Sequence, residues 1–289
     1  MVLKFGEDLD PLLKNVFTAT SHGDQLYLYT LASIESGRTV TAAGSDGGEI
    51  FTADLTTDTG YASAFCAAPD GSVYYCETYD QPDENGSSAN VYRFHVLDST
   101  GNAKRIFTID ELKEASNGNV ISMRFGGDGN LYLLVQTYNL GYPYTTIYVT
   151  DTEGNLKGKF SGEKEQLVIT EMLVTSEAQR AVCINADSDY VIVNLDLEKQ
   201  LMTEEFRLTQ EDSMAEDIVC GTGEYDLYYI REKTVYGYNA ADGSETAIVS
   251  VDSDDVEPIV TFVDSGKRAL CTTYDQETGK TGVSIFEKG

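Results

Sequence analysis

The side chains best suited to chemistry are few in this 289-residue chain. There are two histidines, His22 and His95, and five cysteines, against 48 aspartates and glutamates. Nucleophilic catalysis needs a base held against the nucleophile and oriented by a third group. His22 falls in the turn Ser21-His22-Gly23-Asp24 and His95 in a strand-like run. Nothing in the spacing brings them together, and no Gly-x-Ser-x-Gly occurs. Cys66, Cys76, Cys183, Cys220 and Cys271 each sit in an apolar strand-like run, such as Ala181-Val182-Cys183-Ile184, and no Cys-x-x-Cys is present. They read as small buried hydrophobes rather than zinc ligands. An odd count cannot pair completely within one chain. Cys66 and Cys76 flank one hairpin, and the turn register decides whether they share a face. No catalytic residue and no cofactor is assigned.

Carboxylates are too many for any pair to stand out as the acid and base of glycoside hydrolysis. Two clusters are candidates for calcium, Asp252-Ser253-Asp254-Asp255 and Asn185-Ala186-Asp187-Ser188-Asp189. Calcium wants six to eight oxygens, and neither cluster has the glutamate at position 12 that an EF-hand loop needs. Both read as solvated turns, and no metal site is assigned. Ser45-Asp46-Gly47-Gly48-Glu49-Ile50-Phe51 is similar to the Asp-box turn of sialidases, but it occurs once and lacks the terminal tryptophan. No glycine-rich phosphate loop follows a strand and opens a helix.

Tyrosine carries the sharper signal. Thr78-Tyr79-Asp80, Thr137-Tyr138-Asn139 and Thr273-Tyr274-Asp275 recur about 8–9 residues after a hairpin glycine, at the end of a strand. Two long loops follow in neighbouring segments, Gln81 to Ser88 and Leu140 to Thr145, the second containing Tyr142, Pro143 and Tyr144. A tyrosine offers a flat apolar ring with a polar tip, which suits sugar or peptide contacts. Tyr79, Tyr138, Tyr142, Tyr144 and Tyr274 are therefore the candidate ligand- or partner-binding residues. The competing reading is that the Thr-Tyr pairs are packing positions of a repeat.

That repeat defines the elements that would hold them. Segments such as Phe65-Cys66-Ala67, Pro69-Asp70-Gly71-Ser72, Val73-Tyr74-Tyr75 read as strand, tight turn, strand. Met123 to Leu133, around Asp128-Gly129, and Thr261 to Cys271 repeat the pattern. A third and a fourth strand follow each pair, joined at Asp98 to Gly101, Asp151 to Gly154, Asp196 to Lys199 and Asn239 to Gly243. Units begin near residues 15, 61, 119, 168, 215 and 256. Four antiparallel strands at such a period predict an all-β chain, a single six-bladed β-propeller domain over residues 1–289, with seven blades the alternative if residues 15–60 divide. The last unit ends after three strands, so Val2-Leu3-Lys4-Phe5 is predicted to supply the fourth and close the ring. Asp10 to Lys14 and Thr108 to Ala115 are predicted helical connectors, the latter with capping-box spacing.

Composition bounds the rest. Apolar residues make up 41 %, enough for a core, which excludes wholesale disorder. No apolar run reaches the roughly 18–20 residues of a membrane helix. A net charge of −28 repels a phosphate backbone and excludes nucleic acid as the expected partner. The first residues lack the apolar stretch of a signal peptide. With 19 tyrosines, no tryptophan and strong acidity, the expectation is an extracellular or cell-surface protein whose leader is not part of this sequence, the alternative being a cytoplasmic one.

The Asp-Gly hairpins and the Tyr-x-x-Asp-x-x-Gly turn from Tyr148 to Gly154 resemble the six-bladed propeller superfamily. More narrowly, the chain resembles propeller segments of extracellular solute-binding lipoproteins of Gram-positive gut bacteria, in which a propeller precedes a transporter-type binding domain. The resemblance implies a surface-anchored accessory module and carries over no functional residue. The expected function is a non-catalytic ligand- or protein-binding scaffold, a monomer whose partner is an adjacent domain of a longer chain or a carbohydrate or peptide. The alternative is a metal-assisted lactonase or lyase of the propeller type. Such lactonases hold calcium near the channel with carboxylate and amide groups, and such lyases lean on histidine.

Overall fold

Alternating apolar residues punctuated by Asp-Gly turns should pair locally, each strand with the next. The computed structural model shows this along the chain. It describes residues 2–4, 16–22, 25–33, 37–43, 48–55, 60–82, 86, 88–163, 166–174, 178–209, 215, 217–221, 225–250, 256–263, 268–275 and 280–287. Side chains are described at Tyr27 and within residues 39–250 of that set, except at 217 and 249.

The strands in chain order are β1 (Val2–Lys4), β2 (Val16–His22), β3 (Gln25–Ser33), β4 (Gly37–Ala43), β5 (Glu49–Asp54), β6 (Gly60–Ala67), β7 (Val73–Pro82), β8 (Ser88–Leu97) and β9 (Ala103–Phe107). Then come β10 (Asn119–Phe125), β11 (Leu131–Asn139), β12 (Tyr142–Thr150), β13 (Leu156–Ser161), β14 (Val168–Val174), β15 (Gln179–Ile184), β16 (Tyr190–Asp196) and β17 (Leu201–Leu208). The last are β18 (Asp217–Cys220), β19 (Leu227–Arg231), β20 (Thr234–Asn239), β21 (Ser244–Ser250), β22 (Val256–Val263), β23 (Arg268–Asp275) and β24 (Lys280–Glu287). Among the described residues these form six four-stranded sheets, five of them sequential meanders. The sixth has the order β1-β24-β23-β22, with Val2 opposite Phe286 and Lys4 opposite Ser284. The N-terminal strand thus completes the last sheet, as expected, and residues 16–54 form one sheet rather than two. These are the meander blades of a β-propeller.

One five-residue turn is used repeatedly. In 68–72, Ala68 N donates to Ser72 O at 2.8 Å and Gly71 N to Ala68 O at 3.0 Å. The same pair of bonds closes 98–102, 126–130 and 151–155. Its fourth residue is left-handed, with φ +79° at Gly71, where a Cβ would be strained. The turn aspartate fixes the loop: Asp151 Oδ1 accepts from the backbone N of Glu153 at 3.0 Å and of Asn155 at 2.9 Å. The same turn forms over Asn185 to Asp189. Asn185 Oδ1 caps the N–H groups of Asp187 and Asp189, and Ser188 takes the left-handed position at φ +68°. Asp252 to Asp255 lie outside the described residues.

The chain divides into two compact units, Met1–Asp54 with Leu208–Gly289, and Leu55–Arg207. In the second, each sheet packs on its neighbour. Tyr74, Cys76 and Phe94 meet Met123, Leu131 and Leu133 in one cluster, and Tyr132, Leu134 and Ile147 meet Ile169, Ala181 and Val191 in the next. Each fully buried large side chain contributes roughly 1.5–3 kcal/mol. Between the β6–β9 and β10–β13 sheets lies a connector that contributes Leu112 and Ala115 to the first cluster. Its helical part is a 3₁₀ helix over Asp110–Ala115. The capping box expected at Thr108 is absent: Ile109 occupies the N-cap without a side-chain bond, and Asp110 pairs with Lys113 instead. The connector expected over Asp10 to Lys14 lies outside the described residues. In the first unit, Tyr229 is fully buried and stacks on Tyr236 with ring centroids 5.5 Å apart, and Arg231 lies 4.4 Å over the Tyr236 ring and reaches Glu245 at 2.9 Å.

Candidate ligand-binding face

The β11–β12 hairpin is built by a two-residue turn, Leu140-Gly141, with φ +51° and +85°. Both positive values are those of a type I′ turn, whose twist matches that of paired strands. Asn139 therefore faces Tyr142, Tyr138 faces Pro143 and Thr137 faces Tyr144. The loop expected from Leu140 to Thr145 is corrected to these two residues, and Tyr142 and Tyr144 are strand residues with fixed directions. At the tip, Leu140 is 93 % exposed, Tyr142 70 % and Tyr138 46 %. Tyr144 is half-buried. The Tyr138 hydroxyl donates to Gln136 Oε1 at 3.1 Å.

The recurring Thr-Tyr pairs are not in equivalent registers. Val73 and Leu131 each close a five-residue hairpin turn, opposite Ala67 and Phe125. Tyr79 stands six residues beyond Val73 and Tyr138 seven beyond Leu131, so with a side-chain period of two they point to opposite faces of their sheets. Tyr79 is half-buried under Arg93, whose guanidinium carbon lies 4.4 Å from the ring centroid. Thr78 is fully buried and hydrogen-bonds Ser63 Oγ at 3.1 Å. At this pair the packing reading applies. Tyr274 pairs through its backbone with Glu257 and Thr281, and its side chain lies outside the described residues.

On β12 the period of two aligns Tyr142, Tyr144, Thr146 and Tyr148 on one face. Across the strands, Thr146 lies opposite Val135 and Ser161, and Tyr148 opposite Leu133 and Lys159. The connector after β9 covers the lower part of this face. Tyr92 pins it, its hydroxyl 2.7 Å from Ala115 O and 2.6 Å from Gly118 O. Asn117 Nδ2 donates to Tyr138 O, and Gly118 lies so close to β11 that a Cβ there would stand 2.2 Å from Gln136 O. Between connector and sheet is a cavity of about 340 Å³ lined by side chains of both, among them Glu114 of the connector and Thr137, Thr146, Tyr148, Lys159 and Ser161 of the sheet. Lys159 donates to Glu114 and lies 4.7 Å from the Tyr148 ring centroid, and the Tyr148 hydroxyl is 3.3 Å from Glu114 Oε1. The Lys159 hydrogen bond holds the Glu114 carboxyl below its ordinary value. Burial, and then the Glu114 charge, hold the Tyr148 phenol above its own. Composition and spacing did not reveal Glu114, Lys159 and Thr146. The available signal was the period-two run Tyr142, Tyr144, Tyr148, once that stretch is read as strand.

The remaining candidates resolve differently. His95 Nε2 and Glu77 Oε2 are hydrogen-bonded at 2.8 Å, and the His95 ring stacks on Tyr75 at 4.6 Å. His22 pairs through its backbone with Gln25, its side chain outside the described residues. Cys66 and Cys76 share one face and one core cluster, but at a diagonal register, Cys66 facing Tyr74 and Cys76 facing Ala64. Both are free thiols pushed up to about 12 by burial, as is Cys183. Among the described residues no group of three or more His, Cys, Asp or Glu is arranged to hold a metal ion. No helix among them is long and apolar enough to cross a membrane.

No family model matches the chain, and no curated protein matches it. Solved structures do. A protein of unknown function from Dyadobacter fermentans DSM 18053 is 12 % identical, with a TM-score of 0.60 over 100 % of this chain and 98 % of its own. The polysaccharide lyase Uly1 is 9 % identical, with a TM-score of 0.56 over 94 % and 90 %. A candidate 6-phosphogluconolactonase from Bacteroides uniformis ATCC 8492 is 15 % identical, with a TM-score of 0.53 over 92 % and 80 %. At these identities the likeness is one of fold, and the fold is that of the β-propellers.

Proposed function

We propose that this protein is a non-catalytic binding module that engages its ligand through the β11–β12 hairpin. One observation carries the reading. A two-residue turn presents Leu140 and Tyr142 to solvent at the tip of a rigid, fully paired hairpin, with Tyr138 exposed on its opposite face. Large apolar and aromatic groups so displayed mark a contact surface, because exposing them costs free energy that binding recovers. Preorganisation on paired strands lowers the ordering cost of binding. Tyr144 extends the same surface toward the sheet. The lactonase and lyase names among the fold neighbours belong to those proteins, and the alternative of a metal-assisted lactonase or lyase rests on that likeness of fold alone.

The resemblance to solute-binding lipoproteins supports a cell-surface setting and a neighbouring domain as one partner. Surface proteolysis of intact cells tests the setting: loss of the protein supports it and full protection overturns it. The binding reading is tested by screening the protein against glycan and peptide arrays alongside Tyr142→Ala and Leu140→Ser. Both variants sit at the exposed tip and should melt with the parent. Captured ligands should be weakened at least tenfold by Tyr142→Ala, the loss typical of an aromatic anchor. Ligands held equally well by both variants would overturn the assignment.

A further inference from the structure

We infer that the cavity between the connector and the β10–β13 sheet receives the ring of a neutral sugar, with Tyr144 and Tyr142 as the continuation of its binding track. The inference rests on the hairpin reading above and names its ligand. The cavity lies at the small end of the range for ligand sites, which suits one ring rather than a folded peptide. Its walls are of two kinds. Tyr148 closes one end and Tyr144 follows Thr146 at the other, on the same face of one strand. At about 3.4 Å per residue the two tyrosines stand roughly 14 Å apart along β12. The half-buried ring of Tyr144 can receive the C–H face of a pyranose, whereas Tyr148, buried and covered by Lys159, only closes the cavity. The floor between them is hydroxylic. Thr137 and Thr146 both border the cavity and are half-buried, and neither hydroxyl has a hydrogen-bond partner among the described residues. Ser161 lies directly across from Thr146. Hydroxyls without protein partners in a cavity lining are groups that a polyol rim can meet in place of water.

Charge decides between neutral and acidic sugars. Among the described residues Lys159 is the one cation that borders the cavity, and it is already paired with Glu114. Glu114 also meets the Tyr148 hydroxyl, so the charged groups answer one another and leave nothing for a uronate. The whole chain, at −28, repels an anionic polymer. An extended peptide is disfavoured for a separate reason. Strand addition needs a free edge, and β11 and β12 are each paired on both sides.

The test is isothermal titration of the full chain with neutral oligosaccharides (glucose, galactose, mannose, xylose and N-acetylglucosamine series) and with oligouronates of matched length. The variants are Thr137→Val, Thr146→Val, Thr146→Ser and Tyr142→Ala, each checked by its melting curve. At least one neutral series should bind. Each Thr→Val change should weaken it about fivefold, the worth of one hydrogen bond. Thr146→Ser, which keeps the hydroxyl, should retain affinity and serves if a valine variant fails to fold. Tighter binding of oligouronates would overturn the neutral class. A ligand weakened by Tyr142→Ala but untouched by both valine variants would overturn the cavity and leave the hairpin reading standing. No binding across the sugar series overturns the inference, and a peptide captured in a Tyr142-dependent way would then preserve the hairpin reading alone.

Discussion

At the scale of the residue, aspartate does most of the architectural work in this acidic chain. Asp70, Asp98 and Asp151 accept backbone N–H groups within their own turns. Hydrogen bonds to the ionised form hold such carboxyls below their ordinary value. At Asp151 the causes are led by Asn155, followed by the Lys157 ammonium. Linkage gives the sign. A group whose folded-state pKa is depressed adds stability above its unfolded value, near 3.9, and loses it as pH falls through the folded value. Asp151→Ala should therefore lower the unfolding free energy obtained from urea titration at pH 7 by about 1 kcal/mol, the value of turn-capping hydrogen bonds. The gap to the parent should close as the pH falls below about 4. Urea titrations from pH 7 to pH 2.5 check this, and a gap that persisted unchanged into acid would contradict the assignment. Cysteine, by contrast, does packing: the thiols of Cys66, Cys76 and Cys183 are buried and poor nucleophiles.

At the scale of the element, the connector over 109–118 shapes the candidate site as much as the hairpin does. Tyr92 and Asn90 hold its backbone, Asn117 ties it to Tyr138, and Gly118 lets it approach β11. Gly118→Ala would push a methyl against Gln136 O and Thr137 Cγ2, 2.2 and 2.8 Å from the built position. It should destabilise the protein by about 2–3 kcal/mol. Because the strain falls on Thr137, it should also weaken any ligand of the cavity, and paired melting and titration experiments read both effects. How much of this was legible follows from the same residues. Asp70-Gly71 and Asp128-Gly129 announce their hairpins because a left-handed turn position strongly prefers glycine. The N-terminal strand was legible because the last unit is one strand short. The β11–β12 tip was misread, because Gly141 and Pro143 suggest a long loop where Leu140 itself adopts positive φ. The equivalence of Tyr79 and Tyr138 was also misread, since a one-residue offset is invisible in motif spacing yet reverses the face. Glu114 and Lys159 lie 45 residues apart, on different elements, and no local pattern links them.

At the scale of the molecule, one four-stranded meander is reused, and under the proposed function the differences between copies hold the binding surface. In the unit over residues 55–207 the β10–β13 sheet buries one face against the β6–β9 sheet and the connector and the other against the β14–β17 sheet, so this interior is specified by repeat positions. Departures from the repeat, such as the exposed tyrosines of one hairpin, are what the fold does not require. A charge of −28 keeps so decorated a surface soluble and biases it against anionic partners. The most direct measurement of the central claim is backbone NMR of the labelled full chain titrated with the neutral oligosaccharide that binds best. Shifts are expected to concentrate in residues 135–148 and 159–161 and at the connector around 114–118. Shifts centred on the opposite turns, at 126–130 and 151–155, would contradict the assignment of the hairpin as the binding element.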